Sequence, residues 1–264
     1  MARLRIFQID AFTNQRFTGN PAAVVPLEQW LDDRTLQAVA AENNLSETAF
    51  FVPDGGRFHL RWFTPTLEVK LCGHATLGSA FVLFHELGLD RDEVHFDTLS
   101  GPLSVRRSGS RLVMDFPAWQ LERVDQPPAA LLKGLGVAPE EVLAAVTGDN
   151  FFAILGDEAQ VRAVEPDFRL LETLHPAGVV ISAPGERSDC ASRYFAPSWG
   201  VPEDPGTGSI HCGLTPYWSK RLGKTEIFAQ QVSSRGAELR CELDGDRVRI
   251  GGEAVKYLDG WIEV

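Results

Sequence analysis

The run Leu71-Cys72-Gly73-His74-Ala75-Thr76-Leu77-Gly78-Ser79-Ala80-Phe81-Val82-Leu83-Phe84-His85-Glu86-Leu87-Gly88 reads as a helix that is apolar nearly all round, opened at one glycine and stopped at another. A helix without a polar face has to be buried. A glycine-led start lets other backbone approach closely, and the first-turn N–H groups have no partner inside the helix, so the start suits an anion. The arrangement recurs downstream. Arg193-Tyr194-Phe195-Ala196-Pro197 repeats Arg61-Trp62-Phe63-Thr64-Pro65 at an offset of 132 residues, and Gly206-Thr207-Gly208-Ser209-Ile210 repeats Gly73-His74-Ala75-Thr76-Leu77 at an offset of 133.

The echo continues beyond the helix. Gly223 answers Gly88, residues 239–254 answer 103–118, and the turns Ser108-Gly109-Ser110-Arg111 and Asp244-Gly245-Asp246-Arg247 fall in register. The period is far longer than that of a solenoid repeat. The chain therefore reads as two copies of a whole domain, each with a buried helix opening at a glycine, and two such helix starts aimed at a shared cleft would make one site.

The chain has 264 residues and a formal net charge of −11. That balance argues against nucleic acid and anionic membranes as partners, because both select clustered Lys and Arg. A small-molecule substrate is expected. Met1-Ala2-Arg3 leads into an alternating strand rather than a signal-peptide core, and no apolar run approaches the ~18 residues of a membrane span, so a cytoplasmic protein is expected. Cys72, Cys190, Cys212 and Cys241 lack the clustering of a secreted scaffold and are expected to be reduced thiols.

In chain order, residues 4–12 and 22–25 read as strands around the turn Thr18-Gly19-Asn20-Pro21. A helix follows, capped by Asp32 or Asp33, with Leu36, Val39 and Ala40 on its buried face and Asn43-Asn44 at its end. Leu45-Ser46-Glu47-Thr48-Ala49-Phe50-Phe51-Val52 then begins polar and becomes an apolar strand, so Glu47 lies where helix hands over to buried sheet, a setting that invites a perturbed pKa. Residues 58–63, 94–97, 102–107 and 111–116 complete the first copy as strands. The polar run 121–126 with Pro127-Pro128 is the linker candidate, Pro139-Glu140-Glu141 opens a short helix, and residues 151–155 form a strand. Residues 178–182 answer 49–52, which leaves Pro176-Ala177 opposite Glu47. The expected domains are 1–120 and 121–254, with 255–264 a strand that has no counterpart after Ala118 and pairs back onto the first domain.

Each polar candidate has two readings. Glu47 either caps backbone or moves a proton. His74 either caps or stacks at the helix start or takes part in chemistry, and Asp204 before Pro205-Gly206 is also a common Asx-turn residue. Cys72-x-His74 and His211-Cys212 contain zinc-type ligands, but neither spacing matches a structural pair, so no metal is expected. Trp62, Phe63, Tyr194 and Phe195 read as core. What favours function is convergence: Glu47, His74 and Asp204 each sit beside a turn predicted to face the cleft.

Asp10-Ala11-Phe12-Thr13 with Gly19-Asn20-Pro21-Ala22-Ala23-Val24-Val25, then Asn44-Leu45-Ser46-Glu47-Thr48-Ala49-Phe50, Cys72-Gly73-His74-Ala75-Thr76 and Glu203-Asp204-Pro205-Gly206-Thr207-Gly208-Ser209, resemble the successive signatures of the phenazine-biosynthesis PhzF-like family. The likeness covers essentially the whole chain. It implies an α+β, diaminopimelate-epimerase-like fold of two pseudo-symmetric domains, each an antiparallel-rich, barrel-like sheet wrapped around a central buried helix. It also implies a homodimer, with Glu47, His74 and Asp204 as catalytic residues and Ser209 as the family's motif serine. Gly73, Thr207, Gly208 and Ser209 would bind the substrate. Relatives that racemise amino acids carry a cysteine at each helix start, whereas this chain keeps Cys72 but has Pro205 in the second position.

The expected activity is a cofactor-independent isomerisation of a small anionic carboxylate metabolite by double-bond migration, with Glu47 desolvated against Phe50 and Phe51 as general acid/base. The helix starts would hold the substrate carboxylate by N–H groups and dipoles, and the cleft would close on substrate. No cofactor is expected, since the chain has neither a G-x-G-x-x-G nor a P-loop. Two alternatives stand beside this: an amino-acid epimerase or racemase using Glu47 with Cys72, and a non-catalytic metabolite- or partner-binding protein.

Overall fold

The computed structural model describes residues 3–264, so Met1 and Ala2, part of the argument against a signal peptide, lie outside the described residues. The chain divides into two compact units, one running up to Asp115 and including Ile250–Val264, the other Phe116–Arg249. Each is a sheet with helices.

In the first unit β1 (Arg3–Ala11) pairs antiparallel with β2 (Asn20–Pro26). Helix α1 (Asp33–Asn43) carries the chain to β3 (Glu47–Asp54), parallel to β2. The N-terminus of α1 is held by Asp32, which accepts the Thr35 N–H, and its C-terminus by Asn44 in the left-handed region, as the sequence signals require. β4 (Arg57–Phe63) returns antiparallel, and β5 (Glu68–Val69) lies beside it. Helix α2 (Gly73–Phe81) then leads to β6 (Glu93–Thr98), parallel to β4, and the hairpin strands β7 (Gly101–Ser108) and β8 (Arg111–Pro117) follow. The C-terminal strand Ala254–Glu263 pairs antiparallel with β1.

Residues 73–80 of α2 are all buried. The two hydroxyls on it cause no deficit, because Thr76 Oγ1 donates to the Cys72 carbonyl at 2.5 Å and Ser79 Oγ to the Ala75 carbonyl at 2.7 Å. The helix continues into a π-turn over Val82–Glu86, and the chain leaves it through Gly88 at φ +68°. Gly78 faces Ile9 and Val24, with room for a Cβ only at ordinary contact distance, so β1 and β2 run against the helix. The alternate residues Ala23 and Val25 point the other way and join Leu36, Val39, Ala40, Phe50 and Phe63 in a core beneath α1. With both sheet faces covered, β2 and β3 read as continuous apolar runs rather than alternating ones.

The second unit repeats this order. β9 (Leu121–Arg123) pairs with β10 (Glu141–Ala145), which pairs antiparallel with β11 (Asn150–Ile154), and α3 (Ala129–Leu135) lies between β9 and β10 in sequence. Helices α4 (Glu158–Ala163) and α5 (Phe168–Glu172) lead to β12 (Gly178–Pro184), parallel to β11. β13 (Cys190–Ala196) returns antiparallel with β14 (Val201–Asp204) beside it. Helix α6 (His211–Leu222) leads to β15 (Glu226–Gln231), parallel to β13, and β16 (Ala237–Asp244) and β17 (Arg247–Gly252) follow. One face of β12 offers Val179, Ile181 and Ala183 to the core that includes Leu131, Leu135, Val161 and Leu171 of α3, α4 and α5. The other face offers Ser182, whose hydroxyl accepts from Trp218 Nε1 of α6 at 3.0 Å.

Four expectations are corrected. Pro139-Glu140-Glu141 does not open a helix: Glu141–Ala145 is a strand, because Val142, Leu143 and Ala145 are buried and both strand edges are paired. The polar run 121–126 is not all linker, since Leu121–Arg123 pairs with β10 as the C-terminal strand pairs with β1, so that last strand does have a counterpart. Helix α6 starts at His211 and not at Gly206; residues 208–210 are drawn in by tight i→i+3 bonds such as His211 N–H to the Gly208 carbonyl at 3.0 Å. The register of the repeat also differs from the expected one. Thr48 pairs with Phe63 and Val179 with Phe195, so the residue that answers Glu47 is Gly178, where a Cβ would collide with the Tyr194 ring and hydroxyl.

Helix α6 contains Pro216, which cannot donate to the Cys212 carbonyl four residues back. The Trp119 N–H supplies that bond at 2.8 Å. At the helix start His211 is fully buried, and burial lowers its pKa to about 4. A histidine neutral when folded but charged when unfolded below ~6.5 contributes stability that is complete above ~6.5 and is lost as the pH falls toward 4. From pH 7 to 5 this group should cost about 2 kcal/mol. In urea titrations at both pH values, His211→Asn should lose correspondingly less stability than wild type; equal losses would contradict a neutral buried imidazole.

Candidate functional site

The first unit gathers a polar cluster around the start of α2. Gly73 and His74 open the helix after Cys72, whose backbone is extended and whose side chain makes no capping bond. Glu47 is the first residue of β3, and register with Ala22 places it beside the start of β2, where Asn20 pairs with Ala11. The turn before Asn20 needs Gly19 at φ +68°, since a Cβ there would run into the Ala11 carbonyl.

His74 is the hub. Its Nε2 lies 3.2 Å from Glu47 Oε2, with side-chain exposures of 5% and 15%. Its Nδ1 lies 3.1 Å from Asn20 Nδ2 and 3.4 Å from Cys72 Sγ. The Ser46 hydroxyl donates to Asn20 Oδ1 at 3.2 Å and stands 3.4 Å from His74 Nε2. A largely buried carboxylate beside a buried imidazole and thiol, at the positive end of a helix dipole, forms a set suited to holding and passing a proton.

Glu47, Cys72 and His74 also offer metal-type donors within 4.8 Å of one another. The carboxylate and thiol, however, lie against different ring nitrogens, and an imidazole gives a metal only one. Glu47 Oε2 stands at ion-pair distance from Nε2, and Cys72 Sγ within hydrogen-bond reach of Nδ1.

The second unit brings together Asp204, Thr207, Gly208 and Ser209 in the turn between β14 and α6. Asp204 ends β14 and accepts the Thr207 hydroxyl at Oδ2. Gln231, at the end of β15, accepts the Thr207 N–H at 2.7 Å and donates to the Asp204 carbonyl at 2.5 Å, so one side chain fixes both residues. His211 Nδ1 meets the Thr207 carbonyl at 2.9 Å, and Ser233 Oγ donates to the Pro205 carbonyl at 2.8 Å. The turn is thus pinned from three sides. Gly208 and Ser209 precede α6 proper.

Sequence reasoning gave no role to Asn20, Ser46 or Gln231. The first two stand inside quoted motif runs, next to residues that were singled out. Gln231 carries no local signal, because its partners are 24 and 27 residues away. The other three cysteines are buried and free, and burial pushes their thiols up, Cys241 to about 12, so they are poor nucleophiles. Among the described residues no helix is long and apolar enough to cross a membrane.

Known proteins share this whole framework. The profile of the phenazine biosynthesis-like protein family, PhzC-PhzF, matches residues 9–260. A Pseudomonas aeruginosa protein named as an uncharacterized isomerase is 50% identical over 261 residues, 99% of each chain. The crystal structure of a PhzF family phenazine biosynthesis protein from Enterococcus faecalis superposes with a TM-score of 0.95 at 42% identity, covering 100% of both chains. A hydroxyproline epimerase from Agrobacterium vitis shares the fold at a TM-score of 0.62 and 10% identity, over 99% of this chain and 91% of the other. The duplicated architecture, the whole-length family match and the close relatives together establish that this chain belongs to the PhzC-PhzF family of phenazine biosynthesis-like proteins.

Proposed function

We propose that the protein is an isomerase that moves a proton between two carbons of a small carboxylate metabolite, with Glu47 as the general acid/base. The observation that carries this reading is the Glu47–His74 contact of 3.2 Å, made by two side chains largely withdrawn from water. The family relative named as an isomerase supports the reaction class.

In this reading the Glu47 carboxylate takes a proton from an activated C–H. The electron pair left behind delocalises through the neighbouring double bond, and the resulting Glu47 carboxylic acid returns the proton to a different carbon, moving the double bond. The step is redox-neutral and restores the enzyme, so it calls for no electron carrier. His74, 3.2 Å away, holds the Glu47 carboxylate in place. In the first unit the Gly73 N–H at the start of α2 is a donor for a substrate carboxylate, and in the second Thr207, Gly208 and Ser209, with Asp204 beside them, offer the other polar groups of the candidate set. Placing acid–base residues to within a fraction of an ångström is what makes such a step fast.

A second reading, epimerisation by Glu47 with Cys72 as opposed acid and base, draws on the buried Cys72 thiol beside His74 Nδ1. The two readings separate by mutation. Cys72→Ser should keep most turnover in the proton-shifting isomerase, whereas an epimerase should lose as much with Cys72→Ser as with Glu47→Gln. Chirality and double-bond position of candidate amino and hydroxy acids after incubation in D2O report which occurs.

Glu47→Gln keeps size and hydrogen bonding but cannot take a proton. Turnover should fall by ~10²–10⁴, as expected for loss of a general base, while substrate binding persists. The measurement is exchange of substrate C–H for deuterium at saturating ligand. Exchange undiminished in the Gln variant, with only a lower melting temperature, would reduce Glu47 to a structural cap.

A further inference from the structure

We propose that Asn20 is a positioning residue that sets the tautomer of His74, holding it as a neutral imidazole with its proton on Nε2, facing Glu47. The consequence for turnover rests on the proton-shifting role given to Glu47 above.

The assignment follows from what surrounds each ring nitrogen. Asn20 is fully buried and presents Nδ2 to His74 Nδ1 at 3.1 Å. An amide nitrogen only donates, so Nδ1 accepts. The amide is oriented from its other end, where Ser46 Oγ donates to Asn20 Oδ1 at 3.2 Å. Cys72 Sγ, 3.4 Å from the same ring nitrogen, can donate its S–H to an acceptor there or accept from a donor, so it is compatible with this arrangement without deciding it. On the far side Glu47 Oε2 lies 3.2 Å from Nε2, and a carboxylate needs a donor. Asn20 and Glu47 therefore favour the same distribution of the proton. The second ring nitrogen of a histidine is fixed by the partner of the first.

The tautomer matters because the reverse one would point a lone pair at the carboxylate. With Nε2–H in place, the ring turns its proton toward the Glu47 carboxylate, 3.2 Å away, while that group waits as a base. Asparagine is the residue that does this, since an aspartate of the same shape offers only acceptors.

The test begins with the unaltered protein. In a long-range 1H–15N correlation spectrum of the protein at pH 7, His74 should show a protonated Nε2 and an unprotonated Nδ1. Asn20→Asp, which keeps shape and the Ser46 bond, should place a proton on Nδ1. It should lower kcat about tenfold or more, as a wrong-tautomer change does in a catalytic triad, with KM within about threefold. A wild-type His74 protonated on Nδ1 would overturn the proposal, as would an Asn20→Asp protein whose ring pattern and kcat match wild type. If Asn20→Asp fails to fold, the wild-type spectrum still decides. An Nε2–H ring in a protein that exchanges no substrate proton would support the tautomer assignment while removing the isomerase reading on which its catalytic value depends.

Discussion

A helix with no polar face must be enclosed, and that constraint shapes the first unit. Residues 73–80 of α2 offer apolar side chains and glycines on every side, with hydroxyls folded back on their own carbonyls. The sheet that encloses such a helix has its inner face committed to it, and the outer face is then covered by α1. Strands buried on both faces lose the alternation of an ordinary antiparallel sheet, and parallel pairs joined by helices become the natural connections. Here the parallel pairs are those bridged by α1 and by α2 in the first unit, and by α4–α5 and by α6 in the second.

The same enclosure creates the polar cluster. A helix that starts inside a sheet brings its unpaired N–H groups and positive dipole end to the ends of β2 and β3. Only there do Asn20, Ser46, Glu47, Cys72 and His74 have reason to be polar, and they pair with one another around the His74 ring. In the second unit Gln231, His211 and Ser233 grip the turn before the helix, and the turn is stiffened by bonds to its own backbone.

The duplication, the buried α2, α1 with its caps and most strands were legible because each rests on local chemistry: glycine punctuation, an Asp cap, an apolar run. What failed needed partners distant in sequence. Glu141–Ala145 carries a helix-opening signal, Pro139 followed by acids, yet it is a strand because neighbours on both edges claim its backbone. Leu121–Arg123 is too short and polar to announce itself and exists only as an edge for β10. In the site, residues named by motif were found in sequence, whereas Gln231 became visible only with the register of β15.

Gly178 stands where the second unit answers Glu47. A Cβ at position 178 would run into the Tyr194 hydroxyl and come within 2.6 Å of its ring, so any side chain there has to displace the tyrosine. A smaller residue at 194 would give the room and would forfeit the contacts of that ring. The two units are thus alike in the order of their elements while differing, at this register position, in whether a side chain fits.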